Sequence, residues 1–256
     1  MKRIITAAIL LPLLLLYLTK LPPVYFMCLL LLVCLMGLIE FYQMAGLRSR
    51  MQIVAIPIGL ALLMAAYFKK GISKDLLLAG GAAFFVARLF ISRQPKNALK
   101  ESGIALIGLI YIPGLLIYQV ALRGAGLEYL FLLYGAVWAS DSLALYTGKW
   151  LGRHKLYPEI SPNKTVEGSL GSFAGGVLAT LILNYFYGFV SLIDAIVLGL
   201  TLSAAGQTGD LIESMFKRDA DVKDSGSLIP GHGGILDKID ASLLAGPALF
   251  YLLKVL

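Results

Sequence analysis

The chain has 256 residues, 59% of them hydrophobic and 14% charged, and its mean hydropathy is +0.83. A soluble domain carries about 25% charged residues, so a water-soluble globular fold is excluded and the long apolar runs indicate a polytopic membrane protein. The net charge of +7 fits loops that face anionic lipid heads. Nucleic-acid binding is excluded because there is no soluble basic domain to carry it.

The chain opens with Lys2-Arg3 and an apolar stretch. It resembles a signal peptide, but no small-residue cleavage site follows, so a retained first helix is expected. Nine apolar segments follow in order, at 4–19, 22–45, 52–68, 75–92, 103–122, 128–148, 169–190, 192–213 and 236–254. Helices are the expected element, because the bilayer leaves unpaired backbone groups no water and the runs are too long for barrel strands. The expected fold is therefore all-α, a single transmembrane domain with N-terminal helices in 1–125 and catalytic helices with polar loops in 126–256. Cys28 and Cys34 fall inside one apolar run and read as packing residues.

Lysine and arginine set the orientation. With the N-terminus inside, the inner loops hold fourteen of these residues and the outer loops with the C-terminus hold six. Asp141 then lies in the cytoplasmic half of its segment. Asp210 and Glu213 lie at the cytoplasmic end of theirs, and Asp237 and Asp240 in the first turns of the last one. Carboxylates from three helices thus share a depth, and the polar loops 149–168 and 214–235 open on the same side. Trp138 and Trp150 read as interface anchors or packing.

Seven of the fifteen acidic residues fall between Asp210 and Asp240, interleaved with Lys217, Arg218 and Lys223. Ionisable groups at membrane depth mark functional sites. The three-residue spacing within Asp210/Glu213 and Asp237/Asp240 places each pair on one helix face. Carboxylate oxygens suit hard cations, while Lys and Arg suit phosphates. Gly233 and Gly234 allow backbone N–H groups to approach an anion at the start of the last helix, although glycines also make plain turns. In the other loop, Lys164 with neighbouring hydroxyls is a candidate phosphate contact. Thr165 with Glu167 equally fits a helix start.

Ser214–Asp240, SMFKRDADVKDSGSLIPGHGGILDKID, closely resembles the signature of the phosphatidate cytidylyltransferase (CDP-diacylglycerol synthase) family. The matching residues are Ser214, Lys217-Arg218, Lys223-Asp224, Gly226, Pro230, His232-Gly233-Gly234, Asp237 and Asp240. Ser140-Asp141, Tyr146–Lys149, Ser161–Gly168 and Gly209–Ser214 look like the same family. Before residue 126 only length and hydropathy match. Lys238 stands where the family usually has Arg, which removes a two-pronged phosphate contact.

The resemblance implies transfer of CMP from CTP to phosphatidate, giving CDP-diacylglycerol and pyrophosphate. It also implies Mg²⁺ with a possible second cation, a homodimer, and a multi-pass place in the inner (plasma) membrane with cytoplasmic active-site loops. Asp210, Asp237, Asp141 and Asp240 are the candidate metal ligands. Lys217, Arg218, Lys223 and Asp224 are the candidate catalytic residues, and Lys164, Ser214, His232, Gly233 and Gly234 the candidate substrate-binding ones. A transferase acting on a polyprenyl lipid and an ion-coupled transporter are the competing readings. The orientation has a direct check: a single cysteine at Asn163, in a background lacking Cys28 and Cys34, is expected to resist an impermeant thiol reagent in intact cells and to react once the membrane is opened. Labelling in intact cells would reverse the topology.

Overall fold

The computed structural model describes residues 22–69, 74–226 and 233–256. The expected first helix at 4–19 lies outside the described residues. Among the described residues, seven helical stretches are long and apolar enough to cross a membrane, with Ala98–Ala125 counted as one. They correspond to the expected segments from 22–45 to 192–213. The last expected span forms a helix of 17 residues with Pro247 inside it, shorter than the roughly 20 residues that cross a bilayer upright. The described residues divide into two compact units.

The first unit comprises the described residues up to Leu127 with those of Asp224–Asp237. Its helices are α1 (Pro23–Met44), α2 (Ser49–Lys69), α3 (Lys74–Ser92), α4 (Ala98–Tyr111) and α5 (Pro113–Ala125). Pro113 starts α5 at a position where its missing N–H has no helical partner to lose, so one long apolar stretch breaks there into two helices. α2 packs on α1, α3 and α5. Leu38, Tyr42, Leu63, Phe84, Ile112 and Leu116 are fully buried. The Tyr42 ring lies directly over Gly108, where a methyl would overlap it, and its hydroxyl donates to the Ala105 carbonyl at 3.1 Å.

The same unit buries an ion cluster. Arg88 Nε and Arg48 Nε each lie 3.0 Å from a Glu101 carboxylate oxygen. Arg88 also donates to the carbonyls of Gln94 and Lys96, at 2.9 and 3.1 Å. The guanidinium therefore ties the α3–α4 connection to α4.

The second unit comprises Glu128–Lys223 and Lys238–Leu256. It contains nearly all of α6 (Leu127–Leu151), then β1 (Lys155–Tyr157), β2 (Ser161–Thr165), α7 (Val166–Tyr187), α8 (Leu192–Asp219) and most of α9 (Leu236–Leu252). The expected polar loop 149–168 contains an antiparallel hairpin, with Lys155 opposite Thr165 and Tyr157 opposite Ser161. The hairpin is anchored at both ends. Glu167 accepts from the backbone N–H groups of Arg153 and His154, and Arg218 donates to the Ile160 carbonyl at its tip. Thr165 caps α7 by accepting from the Gly168 N–H at 3.0 Å, so its helix-start role is the one the structure displays.

Small residues let α6, α7 and α8 approach backbone to backbone. A methyl at Gly175 would strike α6 at Ala139, and one at Gly176 or Gly199 would strike the α7–α8 seam. Hydroxyls cross the same seams: Ser140 and Ser203 both bond to the Ser172 carbonyl, at 2.9 and 3.1 Å, and Thr180 bonds to that of Ala195 at 2.8 Å. Close packing and such hydroxyl bonds hold helices together where lipid offers no hydrophobic drive.

Because Arg88 is buried, removing its carboxylate partner should cost far more than removing the half-exposed Arg48. Glu101→Ala is expected to lose about 3 kcal/mol of stability in detergent, and Arg48→Ala at most about 1 kcal/mol. Equal losses in denaturant titrations of the two variants would mean that the cluster is not held by the buried pair.

Candidate active site

Three carboxylates converge in the second unit. Asp141 comes from α6, Asp210 from α8 and Asp240 from α9; the charge of Asp210 reaches Asp141, and the charges of Asp210 and Asp141 reach Asp240. The cations whose charge reaches them include Lys164, acting on Asp141, and Lys217, acting on Asp240. Lys164, at the end of β2, places Nζ 2.8 Å from Asp210 Oδ2. Ser214 donates to Asp210 Oδ1 at 3.2 Å. Lys217 pairs with Glu213, one turn before it on α8, and both side chains are buried. With Glu213 counted, four acidic side chains and two lysines gather here.

The approach of α8 to α9 makes this possible. At Gly209 a methyl would run into the Asp240 carbonyl and lie 3.2 Å from the Ala241 Cα. The residue next to Gly209 is Asp210 and the residue facing it is Asp240, so one glycine sets how closely two of the three carboxylates approach.

In the first unit, the described part of the signature loop folds around two carboxylates. Asp237 Oδ2 accepts from the Ser225 N–H at 3.1 Å, the Ser225 hydroxyl at 3.0 Å and the Gly234 N–H at 2.8 Å. Glu40, on α1, accepts from the Ile235 and Leu236 N–H groups at 2.9 Å each, and lies 3.2 Å from the Ser225 hydroxyl. The anion at the start of α9 is therefore a side chain of the protein itself. Gly233 takes a φ of 80°, a left-handed conformation that glycine adopts without strain.

The remaining sequence candidates are placed as follows. Arg218 is exposed, and its guanidinium donates to the Ile160 and Val222 carbonyls. Lys223 and Asp224 are exposed on the loop after α8, and their side chains make no hydrogen bond or ion pair among the described residues. Lys238 is exposed too. His232 lies outside the described residues. Glu40 was absent from the sequence candidates. It stands inside an otherwise apolar run, which is the signal that singled out Asp141 and would have singled out Glu40.

The cytidylyltransferase family model matches residues 1–256. The chain belongs to the cytidylyltransferase family. Among its relatives, the phosphatidate cytidylyltransferase of Bacillus subtilis (strain 168) is 37% identical over 242 residues, covering 88% of each chain. That of Staphylococcus aureus (strain COL) is 35% identical over 224 residues, and that of Staphylococcus saprophyticus 34% over 221. Both alignments cover 85% of this chain and 82% of the relative. For a cytidylyltransferase, the cluster of Asp141, Asp210 and Asp240 offers the hard oxygen donors of an Mg²⁺ site. Among the described residues, however, no three His, Cys, Asp or Glu side chains close into a ligand set.

Gly206 gives an internal comparison one turn earlier on α8, since a methyl there makes only ordinary contacts at 3.7 and 3.9 Å. Gly206→Ala is expected to be neutral. Gly209→Ala should force α8 and α9 apart and lower kcat/KM at least about tenfold. Equal activity in the two variants would show that the α8–α9 approach does not set the site.

Proposed function

We propose that the chain is a phosphatidate cytidylyltransferase. A phosphate oxygen of phosphatidate attacks the α-phosphorus of CTP, a P–O bond forms, the bond to the β-phosphate bridging oxygen breaks, and pyrophosphate leaves. The product is CDP-diacylglycerol. The observation that carries the reading is the gathering of Asp141, Asp210 and Asp240 from three helices beside Lys164, in a membrane protein whose relatives bear that name.

The attacking oxygen is already anionic near neutral pH, so the reaction does not need a strong general base. The obstacle is the approach of two anions and the charge on the leaving pyrophosphate, which positioning and fixed positive charge overcome. Asp210, with Asp141 and Asp240 near it, would supply one or two carboxylate ligands to Mg²⁺, the remainder coming from water and substrate phosphate; when bound, the ion neutralises phosphate charge and favours departure of pyrophosphate. Lys164 at Asp210 is placed to pass between carboxylate and substrate phosphate. Exposed Lys223 supplies a phosphate contact from the loop. Arg218 contributes by holding the hairpin that carries Lys164. Asp237 and its hydrogen-bonded turn stand at the start of the helix that carries Asp240.

One substrate is a lipid and the other is soluble, so a site at headgroup depth suits both. The lysine and arginine bias of the loops supports a cytoplasmic site in the inner membrane. A homodimer, which the sequence resemblance implies, is part of the proposal.

Purified protein in detergent, given CTP labelled at the α-phosphate together with phosphatidate, is expected to form labelled CDP-diacylglycerol. EDTA should stop the reaction and Mg²⁺ restore it. Asp210→Asn is expected to lower kcat at least about 100-fold, near 2.7 kcal/mol of transition-state stabilisation. Label transferred only to a polyprenyl phosphate would change the substrate. Asp210→Asn with wild-type turnover would remove that residue from the site.

A further inference from the structure

Glu40 is a carboxylate on an apolar helix, 3% exposed, and it makes no ion pair among the described residues. A buried ionised carboxylate is costly unless hydrogen bonds compensate it. Here the compensation comes from the start of α9, where backbone N–H groups lack partners within the helix. Both carboxylate oxygens are used, Oε1 by Ile235 and Oε2 by Leu236. The cap is long-range, joining residues 195 and 196 positions apart. A serine or aspartate beside the helix would satisfy the same amides, but it would not tie the helix start to α1.

The loop is shaped to receive this side chain. A methyl at Gly226 would lie 2.6 Å from Glu40 Oε1, and one at Gly234 would overlap Glu40 Oε2 and Ser225 Oγ. Ser225 is the link to Asp237. Its hydroxyl lies 3.2 Å from Glu40 Oε2 and 3.0 Å from Asp237 Oδ2, so its one proton serves two carboxylates. The Ser225 and Gly234 N–H groups then complete the hold on Asp237. Ser225, Gly226, Gly234 and Asp237 are thus arranged around one residue from the region where the sequence showed no family motif.

We infer that Glu40 is a positioning residue for cytidylyl transfer: its carboxylate fixes the turn that holds Asp237 and sets the first turn of α9. The inference rests on the function proposed above. Glu40 does not touch the reacting atoms and acts through the turn.

Glu40→Gln keeps the size of the side chain but replaces one acceptor oxygen with a donating NH₂, so one of the two amides loses its acceptor. The purified variant is expected to show a kcat at least about tenfold lower, with KM for CTP and for phosphatidate within about threefold of wild type. Amide hydrogen exchange should accelerate in 233–237, while the helices of the second unit stay protected and the thermal midpoint falls by only a few degrees. Gly226→Ala, which presses on the same carboxylate from the loop side, should give the same pattern and serves if Glu40→Gln does not fold. The inference is overturned if exchange in 233–237 rises while kcat stays normal. It is equally overturned if kcat falls only together with a large drop in the thermal midpoint and faster exchange throughout the protein, since Glu40 would then support the fold alone. An inactive wild-type protein would count against the proposed function. An active wild type with an unaltered Glu40→Gln variant would count against the positioning role alone.

Discussion

A buried charge must be compensated, and this constraint runs through the described residues of the chain. An uncompensated ion at membrane depth costs several kcal/mol, so such groups persist only with partners. Three of the buried acids meet that requirement in three ways. Glu101 faces Arg88 and Arg48, Glu213 faces Lys217, and Glu40 faces backbone amides and a hydroxyl. The cluster of Asp141, Asp210 and Asp240 is different, because acids from three helices gather there, with Lys164 beside Asp210. Gathered oxygen donors of this kind are what a divalent cation and, through it, a phosphate would bind.

Assembling that cluster requires helices to approach more closely than leucine or phenylalanine would allow. The glycines of α7 and α8 and the serines that bond across their seams provide the approach. Packing and chemistry are therefore coupled at single residues. Gly209 is a packing residue by its contact with the Asp240 backbone, and it also sets the spacing of the carboxylates on either side of that contact. The hairpin acts similarly from outside the helices. Glu167 and Arg218 tie down its two ends, so that Lys164 at the end of β2 reaches Asp210.

Much of this was legible in the sequence because the bilayer imposes a one-dimensional signal. Apolar runs marked the helices, and Asp141 stood out as a lone charge in such a run. The hairpin was not legible, because Ser161-Pro162-Asn163-Lys164-Thr165 has Thr165 as its one β-branched residue, no aromatic one, and a proline, which argues against a strand. Its pairing depends on side chains brought from elsewhere, Glu167 and Arg218. Glu40 carried the same signal as Asp141, but its partners lie 185 to 196 positions away, and no local pattern announces a cap from that distance. The break at Pro113 could be read from the residue itself. The burial of Lys217 against Glu213 could be read only as an i, i+4 pair, with no indication that both would be enclosed.

The central claim is that Asp210, with Asp141 and Asp240 near it, draws a divalent cation to the protein. Titration of the purified, substrate-free protein with Mn²⁺ in place of Mg²⁺, followed by electron paramagnetic resonance, tests it without reference to turnover. The expected result is saturable Mn²⁺ binding in the wild type that weakens sharply in Asp210→Asn and is competed by Mg²⁺. Mn²⁺ binding of equal strength in wild type and Asp210→Asn, or none in either, would contradict the account.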